Sequence, residues 1–406
     1  MTTPPQQRAL EGVRVLDLSR VLAGPWATQI LGDFGAEVIK VEKPGAGDDT
    51  RQWGPPFVGD EAGGRGDAAY YLCANRNKRS VTIDFSKPEG AAIVRKLAAG
   101  SQILVENFRT GALAAYGLDY ASIAAINPAI VYCSVTGFGQ TGPYAARAGY
   151  DYIAQGMGGL MSLTGDPAGE PMKCAVAVAD LFTGMYAVTG ILAALRHAER
   201  TGQGQQIDAA LLDCQVAMMA NLGAAYLASG EAPKRVGNHH AAIAPYQVLP
   251  TADGHLILAI ANDNQFRTFC ALANVNLDRD ARFATNPARV IHRSELSAAL
   301  GVILSQRSTA QWIAALEEAG IPCGPINTLE QVYADPQVRA RGAVESVERS
   351  NGQRLQLAAN PLKLSATPAE TRAAPPTLGE DTDDVLAELL NAESAQVEQW
   401  RKSGVI

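Results

Sequence analysis

Histidine is scarce: five among 406 residues, with His239 and His240 the only adjacent pair. Neither an H-E-x-x-H helix nor a Cys/His cluster occurs, so no metal site is recognisable. The six cysteines, at 73, 133, 174, 214, 270 and 323, form no C-x-x-C pair and lie mostly in apolar surroundings, a usage that fits a reducing compartment. G-x-S-x-G and G-x-x-x-x-G-K-[ST] are both missing, which removes the commonest hydrolase and nucleotide-hydrolase readings. Positive charge is not in surplus. A formal net charge of -7 gives no global pull toward nucleic acid or an anionic membrane, so any anionic ligand must be met by a local group of Lys and Arg. The opening M-T-T-P-P-Q-Q-R lacks a basic region followed by an apolar core, and no apolar run reads as long as a membrane span. These absences predict a cytoplasmic protein with neither nucleic acid nor membrane as partner.

What is present is a globular composition, 47% hydrophobic and 18% charged, over a length that suits two domains. Residues 13–18 (V-R-V-L-D-L) predict a first strand. S-R-V-L-A-G-P follows, with Pro25 at the expected first position of a helix that stops at Gly35, and 37–42 (E-V-I-K-V-E) predict the next strand. Further strands are expected at 80–85, 102–106 and 130–135, separated by helices at 88–99 and about 119–126. Strands alternating with helices imply an α/β fold, a doubly wound parallel sheet. A Gly/Pro-rich stretch at 43–67 is too long for an ordinary connection. Arg76, Lys78 and Arg79 cluster before the third strand, either as a solvated basic turn or as a seat for phosphate.

After residue 228 the pattern changes to a hairpin at 246–249 and 255–260, then helices at about 264–273, 293–305 and 309–319, an α+β arrangement. I-P-C-G-P-I-N at 321–327 reads as the linker out of this smaller domain. The tail holds a strand pair near 343–347 and 354–358 and two amphipathic helices at about 381–390 and 393–403. The expected domains are therefore 1–225, 226–325 and a return segment, 326–406, completing the first.

Lys173 to Tyr186 (K-C-A-V-A-V-A-D-L-F-T-G-M-Y) joins a short valine-rich run, read as a buried strand at 175–179, to a long helix from Leu181 to Arg200. Gly184 and Gly190 thin one side of that helix for close packing. Asp180 falls at the junction, where it is either an N-cap only or a carboxylate held ionised by the helix macrodipole and able to attack an acyl carbon. Pattern and spacing leave both open.

The motifs D-L-S-R-V-L-A-G-P, G-A-E-V-I-K-V-E-K-P-G-A-G-D, N-R-N-K-R-S-V-T-I-D, V-E-N-F-R-T-G, T-G-F-G-Q-T-G-P, A-V-A-D-L-F-T-G, T-G-Q-G-Q-Q-I-D, G-I-P-C-G-P-I-N and L-G-E-D-T-D occur in that order. From about residue 8 to its end the chain resembles the class III CoA-transferase family, which is related to methylacyl-CoA racemase. The resemblance implies a Rossmann-like large domain, a smaller domain between linkers and an interlocked homodimer. It places the catalytic aspartate at Asp180. It places the CoA contacts at Val21, Leu22, Ala23, Lys43, Ile83, Asp84, Phe85, Ser86, Asn107, Phe108, Arg109, Tyr150 and Asp151. No permanently bound cofactor or metal is implied; the coenzyme A thioester is a substrate, and the partners are acyl-CoA and small carboxylic acids.

One departure is Ala115, ahead of Y-G-L, where many members carry an arginine; the resemblance leaves Lys78 or Arg79 to supply that phosphate contact. Another concerns the reaction. Racemase relatives use a histidine in R-A-G-H-D as one of two acid/base groups, whereas this chain reads R-A-G-Y-D, and the phenol of Tyr150 is poorly matched to a proton shuttle at neutral pH. Transfer is preferred to racemisation on that ground, with a non-catalytic CoA-binding protein as a further alternative. G-L-M-S-L-T-G, A-P-Y-Q and A-N-D-N-Q-F resemble members that move CoA between dicarboxylic acids, with Arg235, His239 or His240 as candidate contacts for the acceptor.

Overall fold

In the computed structural model of the chain, residues 8–59 and 64–406 are described. The first seven residues, part of the segment read for an export signal, and 60–63 of the Gly/Pro-rich stretch lie outside them. Two compact units are formed. One comprises the described residues up to Leu160, Cys174–Gly230 and Arg339–Ile406; the other comprises Met161–Lys173 and Glu231–Val338. The second unit thus takes in 161–173, a segment that the sequence expectation leaves within 1–225.

The first unit is built on a six-stranded sheet: β1 (Arg14–Asp17), β2 (Glu37–Glu42), β3 (Lys78–Thr82), β4 (Ile103–Glu106), β5 (Val131–Thr136) and β6 (Gln205–Ala210). All neighbours are parallel, in the order 3-2-1-4-5-6. This is the doubly wound Rossmann order, in which the direction of winding reverses between β1 and β4. Six helices cover the sheet: α1 (Ala23–Asp33), α2 (Pro88–Ala99), α3 (Tyr120–Ile126), α4 (Val178–Thr201), α5 (Thr382–Leu390) and α6 (Ser394–Lys402). Because successive side chains along a strand point to opposite faces, Val15, Val38, Val105 and Cys133 pack with α1 and α4, while Leu16, Ile39, Leu104 and Tyr132 pack with α2, α3, α5 and α6. Every residue of β4 and β5 is buried, as expected for strands covered on both faces.

Gly184 of α4 meets the backbone of α1. A Cβ there would lie 2.8 Å from the Ala23 carbonyl oxygen, so only glycine permits this approach. Gly190 needs no such exemption, since its Cβ would make ordinary contact with Ile207. Over an 18-residue stretch of the 24-residue α4 the mean hydropathy is 1.6, so the helix is long and apolar enough to cross a bilayer on length and composition alone, contrary to the sequence expectation, although half of that stretch is buried within the chain.

The second unit has a three-stranded antiparallel sheet, Cys323–Pro325, His255–Ala259 and Tyr246–Pro250 in spatial order. Leu256, Leu258, Phe266, Phe269, Leu300 and Trp312 form its core with helices Asp263–Ala273, Arg293–Leu304 and Thr309–Glu318. The expected linker at 321–327 is therefore partly a strand. Its Pro325 sits on a sheet edge, where a missing N–H is tolerated.

Candidate active site

The carboxyl end of β1 carries a buried charged frame. Asp17 accepts hydrogen bonds from Ser19 N and Oγ, Thr28 Oγ1 and Lys78 Nζ. On the neighbouring strand, Lys40 Nζ donates to Ser19 O and to Asp48 Oδ2, each at 2.9 Å. Asp48 in turn accepts from Val21 N at 3.2 Å. Burial alone would raise the Asp48 carboxyl; the Lys40 ammonium and donors from Thr50 outweigh it and hold the group at about 2. Val21 is held at φ 72°, an outlier for a β-branched residue, and α1 begins two residues later without a capping side chain. Pro25 is consequently the third residue of α1 rather than the first.

Two adjoining cavities open at the carboxyl ends of the strands. The first, about 420 Å³, is lined by Val21, Leu22 and Ala23 after β1, by Asn107, Phe108 and Arg109 after β4, by Gly137 after β5, and by Tyr150 and Asp180. Loops from β1 and β4 flank the reversal of winding, where open α/β sheets bind ligands. The second cavity, about 200 Å³, is lined by Lys43, Ile83, Asp84, Phe85 and Ser86. Arg20 and Phe108 line both. The chosen contact residues thus gather around these two cavities, with the exception of Asp151.

Asp180 does not cap its helix, contrary to the first of the two readings. α4 starts at Val178, its N-cap Ala177 supplies no side-chain bond, and Asp180 is the third helical residue. The capping carboxylate is Asp151, whose Oδ1 accepts from Ala179 N at 2.8 Å and Asp180 N at 3.3 Å. The run 175–179 is not a strand either; it pairs with no strand of the sheet and enters the first turn of α4. Asp180 is 9% exposed, and its carboxylate has neither a cation nor a hydrogen-bond donor among the described residues. Burial first, then the Asp151 charge, push it up to about 7, a direction opposite to the pull of the helix macrodipole toward the ionised form.

Lys78 and Arg79 do not stand in for the arginine missing at Ala115. Lys78 Nζ is fully enclosed by Asp17, Pro25 O and Asn75 Oδ1, and Arg79 pairs with Glu37 and Glu388. Neither lines either of the two cavities. Arg76, the third cation of that cluster, is buried against Asp33 at 2.6 Å.

Arg20, Arg147, Asp49 and Trp53 also line the first cavity and were not singled out from sequence. Arg20 pairs with Asp49 at 3.0 Å, and Arg147 lies over the rings of Phe138 and Tyr144. Tyr70 stands edge-on to Trp53, and its hydroxyl is pushed up to about 12 by burial and by the nearby Asp180 charge. Arg20 and Arg147 lie inside the quoted motifs S-R-V-L and R-A-G-Y-D; Trp53 lies in the long loop. In the second unit, Arg235 donates to the carbonyls of Asp166 and Gly169, and His239 is bonded to Gln247.

A doubly wound sheet with two adjoining cavities beside its switch point and an unpaired carboxylate near the head of a long helix has the layout of an α/β enzyme. The chain belongs to the CoA-transferase family III, whose family model matches residues 10–382, and it is a CoA-transferase. It is 51% identical over 391 residues to the succinate--glutarate CoA-transferase of Agrobacterium fabrum, covering 96% of this chain and 98% of that one. It is 42% identical over 400 residues to the succinyl-CoA:glutarate CoA-transferase of Homo sapiens, covering 98% and 90%. Among solved structures, a CAIB/BAIF family protein from Brucella suis superposes with a TM-score of 0.85 at 49% identity, covering 94% of this chain and all of that one.

Proposed function

We propose that the protein moves CoA from succinyl-CoA, or a similar acyl-CoA, to a dicarboxylic acid, with Asp180 as the nucleophile. The observation that carries this reading is the unpaired Asp180 carboxylate in a cavity adjoining a second one, in a chain whose relatives bear succinate–glutarate names. Ionised Asp180 attacks the thioester carbonyl of the donor, and CoA leaves as the thiolate. The thiolate then attacks the Asp180 side of the mixed anhydride, freeing the donor acid and leaving an aspartyl-CoA thioester. The acceptor carboxylate displaces the thiolate from that thioester, forming a new anhydride. Return of the thiolate to the acceptor's acyl carbon gives the new acyl-CoA and restores Asp180. Every intermediate keeps one activated acyl bond, thioester or anhydride, so the exchange balances without ATP.

The cavities suit such a ligand. Lys43 and Arg109 offer charge to CoA phosphates, and the Phe85 and Phe108 rings offer apolar surface to the rest of the coenzyme. The two compact units serve, on this reading, as the large CoA-binding domain and the smaller domain of the family. Phe182, Met185 and Tyr186 on α4, with Val216, Tyr226 and Leu227 on the helices that follow β6, are exposed in a single chain. That surface supports the interlocked homodimer that the family resemblance implies. No disulfide joins the six cysteines, which supports a cytoplasmic setting.

Incubation of the purified protein with succinyl-CoA and a panel of carboxylic acids, followed by mass spectrometry of the thioesters, tests the reading. Asp180→Ala is expected to keep the fold and lose both transfer and the hydroxylamine-sensitive adduct; transfer that persists in this variant excludes the mechanism. Exchange of the α proton of a 2-methylacyl-CoA without transfer would favour the racemase alternative.

A further inference from the structure

Asp151 begins the short helix Asp151–Met157, and both of its oxygens are engaged. Oδ1 takes the N–H groups of Ala179 and Asp180, while Oδ2 accepts from Gln155 Nε2 at 2.7 Å. Gln155 is fully buried, and its Oε1 accepts from Cys174 N at 2.8 Å, so the approach to α4 is stitched to the helix that carries Asp151. Since Ala177 offers no cap, the first turn of α4 takes its cap from a residue 28 positions earlier than Ala179.

This arrangement divides two roles that sequence pattern had placed on one residue. The N–H groups at the positive end of α4 are spent on Asp151, and the carboxylate of Asp180 is left without them. An anion bonded to the backbone N–H of Asp180 also stands beside the group that must attack. We propose that Asp151 is a positioning residue for the nucleophile, fixing the turn that carries Asp180 and holding a second negative charge next to it, rather than a CoA contact.

The inference rests on Asp180 being the nucleophile. A more basic carboxylate is the stronger nucleophile, provided that enough of it is ionised at working pH, and a group at about 7 meets both conditions near neutrality. Arg20, Arg109, Arg147 and Asp49 line the same cavity, and Tyr70 faces Asp180 as well. None of the three guanidiniums lies within ion-pair distance of Asp180 among the described residues, so Asp151 is the charged group with the closest hold on it.

Asp151→Asn and Asp151→Ala in the full chain test the proposal. Asparagine keeps an oxygen for the two N–H groups and removes the charge. Its acid limb in the pH profile of kcat is expected to move down by about one pH unit or more, with kcat at pH 8 reduced roughly three- to tenfold and the donor KM within about twofold of the parent. Alanine removes the cap too and is expected to lose about a hundredfold in kcat. A second measurement does not depend on turnover: the ¹³C carboxyl titration of Asp180, assigned by its loss in Asp180→Asn, should move to lower pH in Asp151→Asn.

A donor KM raised about tenfold with an unmoved pH profile and titration would make Asp151 a CoA contact and overturn the proposal. An unmoved titration overturns the coupling whatever the turnover. A shifted titration in a protein whose parent transfers no CoA would uphold the coupling and fail the transferase reading alone.

Discussion

Asp48 stands between Lys40 and Val21, meeting the ammonium at 2.9 Å and the backbone N–H at 3.2 Å, with neither charged side chain exposed. A buried ion pair therefore anchors a strained residue of the first cavity, while Lys40 and Asp48 themselves back the second. Removing one partner leaves a buried charge unmatched, at a cost of about 3–5 kcal/mol, whereas replacing both with apolar groups of similar volume is close to neutral. Asp48→Ala is thus expected to lower the thermal midpoint by several degrees. The double variant Lys40→Met with Asp48→Leu should recover part of that loss and still bind donor poorly, since Val21 N and the Thr50 donors have lost their acceptor. Thermal midpoints and donor KM for the three proteins check this; a double variant with normal KM would mean that the Val21 conformation does not matter to binding.

Asp180 imposes a cost on the fold that its chemistry explains. Its folded value of about 7 lies above the ordinary 3.8, so the native state holds a proton that the unfolded chain has already released. Stability contributed by that proton is full below about pH 4, declines as pH rises, and is gone above about 7. At pH 8 the buried charge costs on the order of 2–4 kcal/mol. Asp180→Asn should therefore raise the thermal midpoint at pH 8 by a few degrees, and the gain should shrink toward pH 4. Thermal scans of both proteins across that range give the difference curve, and a gain independent of pH would contradict the assigned ionisation.

The strands were legible because β4 and β5 are buried on both faces and read as short, largely apolar runs. The seats of the cations were not legible, because their partners are remote: Arg79 meets Glu388, 309 residues away, and Arg76 meets Asp33. A basic cluster ahead of a strand looks the same in sequence whether it faces phosphate or is paired inside. The start of α4 was displaced for a similar reason, since a cap borrowed from Asp151 leaves no mark next to Asp180. The cavity-lining residues after β1 and β4 came from motif resemblance rather than from periodicity, and Arg20 and Arg147 stood unremarked within the same motifs.

Gly184 lies one turn beyond Asp180 and sets how closely α4 approaches α1. A Cβ 2.8 Å from Ala23 O forces two backbones apart, and Ala23 itself lines the first cavity. Gly184→Ala is expected to cost roughly 1–3 kcal/mol and to reduce kcat, because the strain falls between the helix that carries Asp180 and the loop it faces. Gly190→Ala, six residues further along, adds a methyl at ordinary contact distance and should be neutral or slightly stabilising. Equal behaviour of the two variants in thermal midpoint and kcat would show that the α1–α4 approach is not constrained as the contact implies.

Acid should act on this protein through the charged frame and with the opposite sign to Asp180. Asp48 is held at about 2, and Asp17 and Glu42 are also lowered, each against the burial that would raise it. A carboxyl depressed in the native state stabilises the fold above its ordinary value near 4 and loses that contribution as pH falls toward the depressed value. For Asp48 alone this is on the order of 2 kcal/mol. The thermal midpoint of the parent should consequently fall steeply between about pH 4 and pH 2. The Lys40→Met, Asp48→Leu double variant should fall less steeply over that window. If the two proteins lose stability in parallel below pH 4, the Lys40–Asp48 pair is not what acid titrates.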